Sequence, residues 1–225
     1  GAVMSFGQLP YDLAHLLGGA VLLLSFVLLY QRRISAVINA FATQGALLAL
    51  AAAWQGYVQG ATGLYVTAAI AFGAKAVLIP YALHRLVRRF NLQRGVDPAL
   101  GIGASLIAGV ALAGFAMMVV LPATAGQRAL AREDLALALS VVLLGGLMMI
   151  TRRNLISQVI GLLSLENGLI LAAVGVAGMP LVMELSTAAL VLMLAVIAGV
   201  FALQMGESFQ SLDTESLQSH RGEGE

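Results

Sequence analysis

Residues 155–175 read LISQVIGLLSLENGLILAAVG and follow Arg152, Arg153 and Asn154. One crossing of a bilayer's hydrocarbon core takes about 20 mainly apolar residues, so a run of this length is a membrane span. Lipid offers no partner to a backbone N–H or C=O, and a span therefore satisfies its amides internally, as a helix. The arginine pair marks where the span meets water. One residue is out of place in it: Glu166 sits mid-run, where a charged side chain costs about 2.5 kcal/mol or more even on lenient scales.

The same pattern recurs outward in both directions. Apolar segments at 11–30, 34–57, 61–84, 99–121, 133–150, 154–177 and 181–205 predict an all-α integral membrane protein of about seven transmembrane helices. Of the 225 residues 60% are hydrophobic and 10% are charged, against roughly 25% charged in soluble domains. Mean hydropathy is +0.94. Spans fill nearly the whole chain, leaving no room for a soluble catalytic domain, so neither catalysis nor a bound cofactor is expected here. Cysteine is absent, which excludes disulfides and cysteine-held zinc or iron–sulfur centres. His15, His84 and His220 fall at different depths, so a haem-ligand pair or metal cluster is not expected. A net charge of +1 gives no sign of nucleic acid. The first apolar run lacks a basic leader and reads as a permanent helix; residues 206–225 read as a polar tail.

Loop charge orients the bundle. Arg32 and Arg33, then Arg85, Arg88, Arg89 and Arg94, then Arg152 and Arg153 fall on one side with Arg221, while the opposite side has Arg128 and Arg132 beside Glu133 and Asp134. Basic short loops stay cytoplasmic, so the amino terminus is expected outside and the carboxyl terminus inside. A repeat is also readable: residues 35–48 align without a gap on 157–170, laying Gln44 on Glu166, and each stretch follows an arginine pair. The organisation expected is a three-helix unit at 1–98, a connecting helix and outer loop at 99–132, a second three-helix unit at 133–205 and a cytoplasmic tail at 206–225. Tandem units of this kind are familiar among transporters.

Intramembrane ionisable residues carry function by default. Lys75 is the chain's sole lysine and lies in an apolar segment ending at Pro80. At about 1.5 Å of rise per residue, Glu166 lies roughly 20 Å beyond Arg153, Gln44 about 16 Å beyond Arg33, and Lys75 about 15 Å before Arg85. The three share one central layer, and Glu184 occupies a shallower outer one. These four are the candidate proton-pathway residues, with Glu166 and Lys75 titrating against each other. The alternative is a static pair that fixes helix packing, with Gln44 bonding between helices. Pro80 reads as a kink that frees a carbonyl near Lys75, and Asn167-Gly168 as a helix-packing element.

The stretch 152–167, RRNLISQVIGLLSLEN, resembles the K subunit of respiratory complex I and the C subunit of Mrp-type antiporters, a likeness running over about 133–222. The whole chain is similar to component E of hydrogenase-4 and formate hydrogenlyase-type complexes, through a K-x-x-x-x-P element at Lys75–Pro80 and Glu166-Asn167-Gly168. The resemblance departs at two points: Leu163 and Leu194 stand where the complex I subunit has carboxylates. It thus implies a rearranged site, with Glu166 one turn on and Lys75 supplied by the other unit. It further implies a non-catalytic membrane-arm subunit of an oxidoreductase complex, multi-pass in a bacterial or archaeal cytoplasmic membrane. Its expected neighbours are antiporter-like and complex I-like subunits, lipid and a peripheral redox arm, and it would contribute to translocation of protons or sodium ions. Two other functions stay open: an anchoring and assembly subunit, or an independent ion transporter, for which the fourth span is nearly featureless.

Overall fold

The computed structural model describes residues 9–89, 101–126 and 129–175, together with Gly199 and Leu203; among these, the regular elements are all helices. They are α1 (Leu9–Tyr30), α2 (Ile34–Gln59), α3 (Thr62–Arg89), α4 (Ile102–Ala123), α5 (Ala129–Thr151) and α6 (Leu155–Gly175). All six are long and apolar enough to cross a membrane. Apart from Gly199 and Leu203, the span expected at 181–205 lies outside the described residues, as do Glu184 and the tail.

Two boundaries differ from the sequence expectation. Helix α3 continues past residue 84, so Arg85, Arg88 and Arg89 ride on its last turns instead of in a loop. Helix α5 starts at Ala129, ahead of the expected 133, so Arg132, which the sequence places in the outer loop, lies on the helix before Glu133 and Asp134. Asp134 is buried there against polar partners from other helices, and those partners let a charged residue enter the bundle.

Short turns have local causes. Gly60 closes α2 at φ 65°, a left-handed conformation glycine adopts at no steric cost. The next N–H, from Ala61, returns to the Gly56 carbonyl at 3.0 Å, a Schellman closure that lets α3 begin at Thr62. At the start of α6, Asn154 Oδ1 accepts the Ile156 N–H at 2.8 Å, the side-chain cap a helix N-terminus favours.

Helices α2 and α6 are the most enclosed. Helix α2 packs on α1, α3 and α6, while α6 packs most extensively on α5. That last contact is backbone to backbone. A Cβ on Gly145 would stand 2.5 Å from the Leu165 nitrogen, and one on Gly168 would stand 2.8 Å from the Val142 nitrogen. Without a hydrophobic effect between helices in lipid, small residues that permit such approach supply the packing.

A charged side chain ties the turns at one end together. Arg152 is buried and donates to the carbonyls of Leu28, Leu29 and Gln31 at 3.1, 2.7 and 2.9 Å. These are the orphan acceptors at the end of α1, where the helix dipole favours a cation. One of the arginines that reads as a topology signal is therefore a cap between helices.

Candidate functional site: a buried polar layer across four helices

Lys75 sits in the middle of a π-helical segment, Phe72–Leu78, set into α3. The Ile79 N–H returns to the Ala74 carbonyl, five residues back. Pro80 has no N–H for the next carbonyl in either register, that of Lys75 or that of Ala76, so the helix loosens over the turn that proline would otherwise clash with. Single π-turns inside α-helices occur often at functional sites. Helix α2 presses on this turn: a Cβ on Gly45 would stand 2.8 Å from Lys75 Cβ and 3.0 Å from its carbonyl carbon.

The lysine is 1% exposed. Its Nζ donates to Asn167 Oδ1 and lies 3.9 Å from Glu166 Oε1. Asn167 Nδ2 donates to Gln44 Oε1 at 3.0 Å. Gln44 Nε2 donates to Ser25 Oγ at 2.9 Å and to the Val21 carbonyl at 3.3 Å, which Ser25 Oγ also approaches at 3.3 Å. The string runs Lys75, Asn167, Gln44, Ser25 through α3, α6, α2 and α1. An ammonium has donors only, so Asn167 must turn its oxygen to it; that forces each later amide and hydroxyl to donate away from Lys75. The orientation of the whole string follows from one charge.

Glu166 stands apart from this order. It is buried, and among the described residues its Oε1 has no hydrogen-bond partner. A charge-assisted N–H···O bond measures about 2.7–2.9 Å, so the 3.9 Å separation is an ion-pair distance short of a hydrogen bond. At an effective dielectric near 20 the attraction across it is about 4 kcal/mol. Holding each ion out of water costs several kcal/mol, of the same order. The attraction thus offsets only part of the cost of burying both ions. The amide links polarise and hold the lysine, and the carboxyl beside it is the one titratable partner its ammonium meets among the described residues.

Of the candidates read from the sequence, Lys75, Glu166 and Gln44 share this layer, while Glu184 lies outside the described residues. Asn167, in sequence a packing residue beside Gly168, is instead the central link. Ser25 gives no signal in the sequence, being a small polar residue in an apolar helix.

A second polar cluster joins residues that the sequence leaves unconnected. His15 on α1 places Nε2 3.2 Å from Glu133 Oε2 and Nδ1 3.1 Å from Asp134 Oδ1. Gln55 Nε2 donates to Asp134 Oδ2 at 3.4 Å; Gln59 Nε2 donates to Gln55 Oε1 at 2.9 Å and to the Val174 carbonyl at 3.2 Å. The signal that could have found it is the recurrence of glutamine at 44, 55 and 59 along one face of α2. Between the two clusters the core is apolar, with Val21, Leu48, Ala52, Val141 and Ile170 buried together.

The chain is 28% identical over 207 residues to the uncharacterized protein Rv0085 of Mycobacterium tuberculosis, covering 90% of this chain and 93% of that protein. No family model matches the chain, and no solved structure matches it. The likeness to Rv0085 runs over most of both chains, so it is not confined to one span or one polar cluster.

Proposed function

We propose that this chain is a non-catalytic membrane-arm subunit of a hydrogenase-4, formate hydrogenlyase-like or related complex I-like assembly, contributing to proton translocation driven by a peripheral redox arm. The observation that carries the reading is the buried Lys75–Glu166 pair at 3.9 Å, its lysine set in a π-turn of α3. A static pair retained for packing would be expected to be fully hydrogen-bonded, whereas Glu166 Oε1 has no such partner among the described residues. In the step proposed, an approach of about 1 Å brings the pair within hydrogen-bond reach. The ammonium N–H bond then breaks as the carboxyl O–H bond forms, leaving a neutral amine and acid; reprotonation of the amine from a neighbouring subunit and release from the acid complete the cycle. Asn167 and Gln44 act as positioning residues. An outward amino terminus, a seventh helix at 181–205 carrying Glu184, and the tandem three-helix arrangement belong to the same reading.

The test is proton translocation and redox turnover of the assembled complex, purified from its native membrane through a tag on this chain. Glu166→Gln and Lys75→Ala are expected to leave assembly intact and abolish translocation. Intact assembly with unimpaired translocation would sink the proposal. Lost assembly, with normal turnover and translocation in whatever complex forms, would establish an anchoring role instead. Proton flux by the chain alone in liposomes would make it an independent transporter.

A further inference from the structure

At the end of the bundle held together by Arg152, a cavity of about 390 Å³ is lined by Tyr30, Gln31, Arg32, Arg33 and Ile102. Both arginines are exposed, and among the described residues neither forms an ion pair. Two long helices begin at its walls. Helix α2 starts after Arg33 and α4 after Gly101; among the described residues neither has a side-chain cap or an acidic residue in its first turn, so each presents N–H groups and a positive dipole end. The opposing negative end is already neutralised, because Arg152 occupies the last carbonyls of α1. Two guanidinium groups, a phenol, an amide and two helix N-termini around one cavity describe a phosphate site.

We infer that this cavity binds the phosphate of an anionic phospholipid headgroup. The position favours a lipid over a free anion. Tyr30, 60% exposed, ends a span, where aromatic side chains settle at the membrane–water boundary. Helix α4, which begins at the cavity, also exposes Ile107, Val110 and Met118 on its outer face, an apolar surface beside which acyl chains can lie. Basic pockets between helix ends are the sites that hold such headgroups in membrane proteins. This inference does not depend on the proton role of Lys75 and Glu166.

The experiment is native mass spectrometry of the full chain released from mixed phosphatidylglycerol and phosphatidylcholine nanodiscs. The expected result is selective retention of phosphatidylglycerol. It should fall about fivefold for each charge changed in the cavity, in Arg33→Gln and independently in Gln31→Glu, which keeps both arginines and adds a repelling carboxylate. Arg85→Gln, outside the cavity, should retain lipid as the wild type does. Equal loss in Arg85→Gln would reduce the effect to diffuse surface charge and overturn the site. No preference for phosphatidylglycerol, or millimolar inorganic phosphate binding the cavity equally well and displacing the lipid, would overturn the lipid assignment.

Discussion

Replacing Lys75 with methionine, alone and together with Glu166→Leu, measures what the buried pair is. Methionine keeps the length and apolar stem of lysine and removes the ammonium. The substitution leaves Asn167 Oδ1 without its donor and Glu166 without the charge 3.9 Å away. A hydrogen bond to a charged group contributes about 1.5–3 kcal/mol, and the ion-pair attraction adds about 4 kcal/mol at an effective dielectric near 20. Against these, the protein no longer holds an ammonium out of water, which returns several kcal/mol. The net expectation for Lys75→Met is a loss of about 3 kcal/mol, as when one partner of a buried pair is removed. The double variant should be far less unstable than the sum of the single ones, with a coupling of about 2 kcal/mol or more. The assay is reversible unfolding of the purified chain in mixed micelles across the four-member cycle. Ordinary interhelical hydrogen bonds in a membrane protein couple by about 0.6 kcal/mol on average. A measured coupling at or below that value would refute an ionised Lys75–Glu166 pair and leave a neutral contact in its place.

Two further outcomes test the frame that holds the layer. Gly145→Leu should cost about 3 kcal/mol or more in the same assay, because its Cβ would lie 2.5 Å from the Leu165 backbone nitrogen and neither backbone can yield; a loss under about 1 kcal/mol would mean α5 and α6 do not touch there. Arg152→Ala should lower stability by about 2–4 kcal/mol through three lost carbonyl contacts. Arg153→Ala, at its exposed neighbour, should change it by less than about 0.5 kcal/mol, and equal effects would argue against the cap.

Depth is legible in the sequence alone. Counting residues from the arginine pairs sets Gln44, Lys75 and Glu166 in one layer, because helix rise is constant and lipid forces each span to be helical. Rotation about the helix axis is not legible in the same way. Asn167 follows Glu166 in sequence, yet it is Asn167 that meets Lys75 and Gln44, because the glycine contact of α5 and α6 sets which face of α6 turns inward. The π-turn around Lys75 is half legible: Pro80 announces a disturbed helix, and the resulting register follows from α2 pressing on it at Gly45.

What the sequence determined by itself was the presence of helices long and apolar enough to cross a membrane and the level along them at which polar groups sit, all properties of one helix taken alone. Only the tertiary structure decided which of those groups meet. It turned Arg152 from a loop charge into a cap, and drew His15, Asp134 and Gln55 into one cluster from three helices. It also left Glu166 Oε1 without a hydrogen-bond partner among the described residues. Partnership depends on the azimuth and spacing of packed helices, which small residues far apart in the chain set jointly, and no single span encodes it.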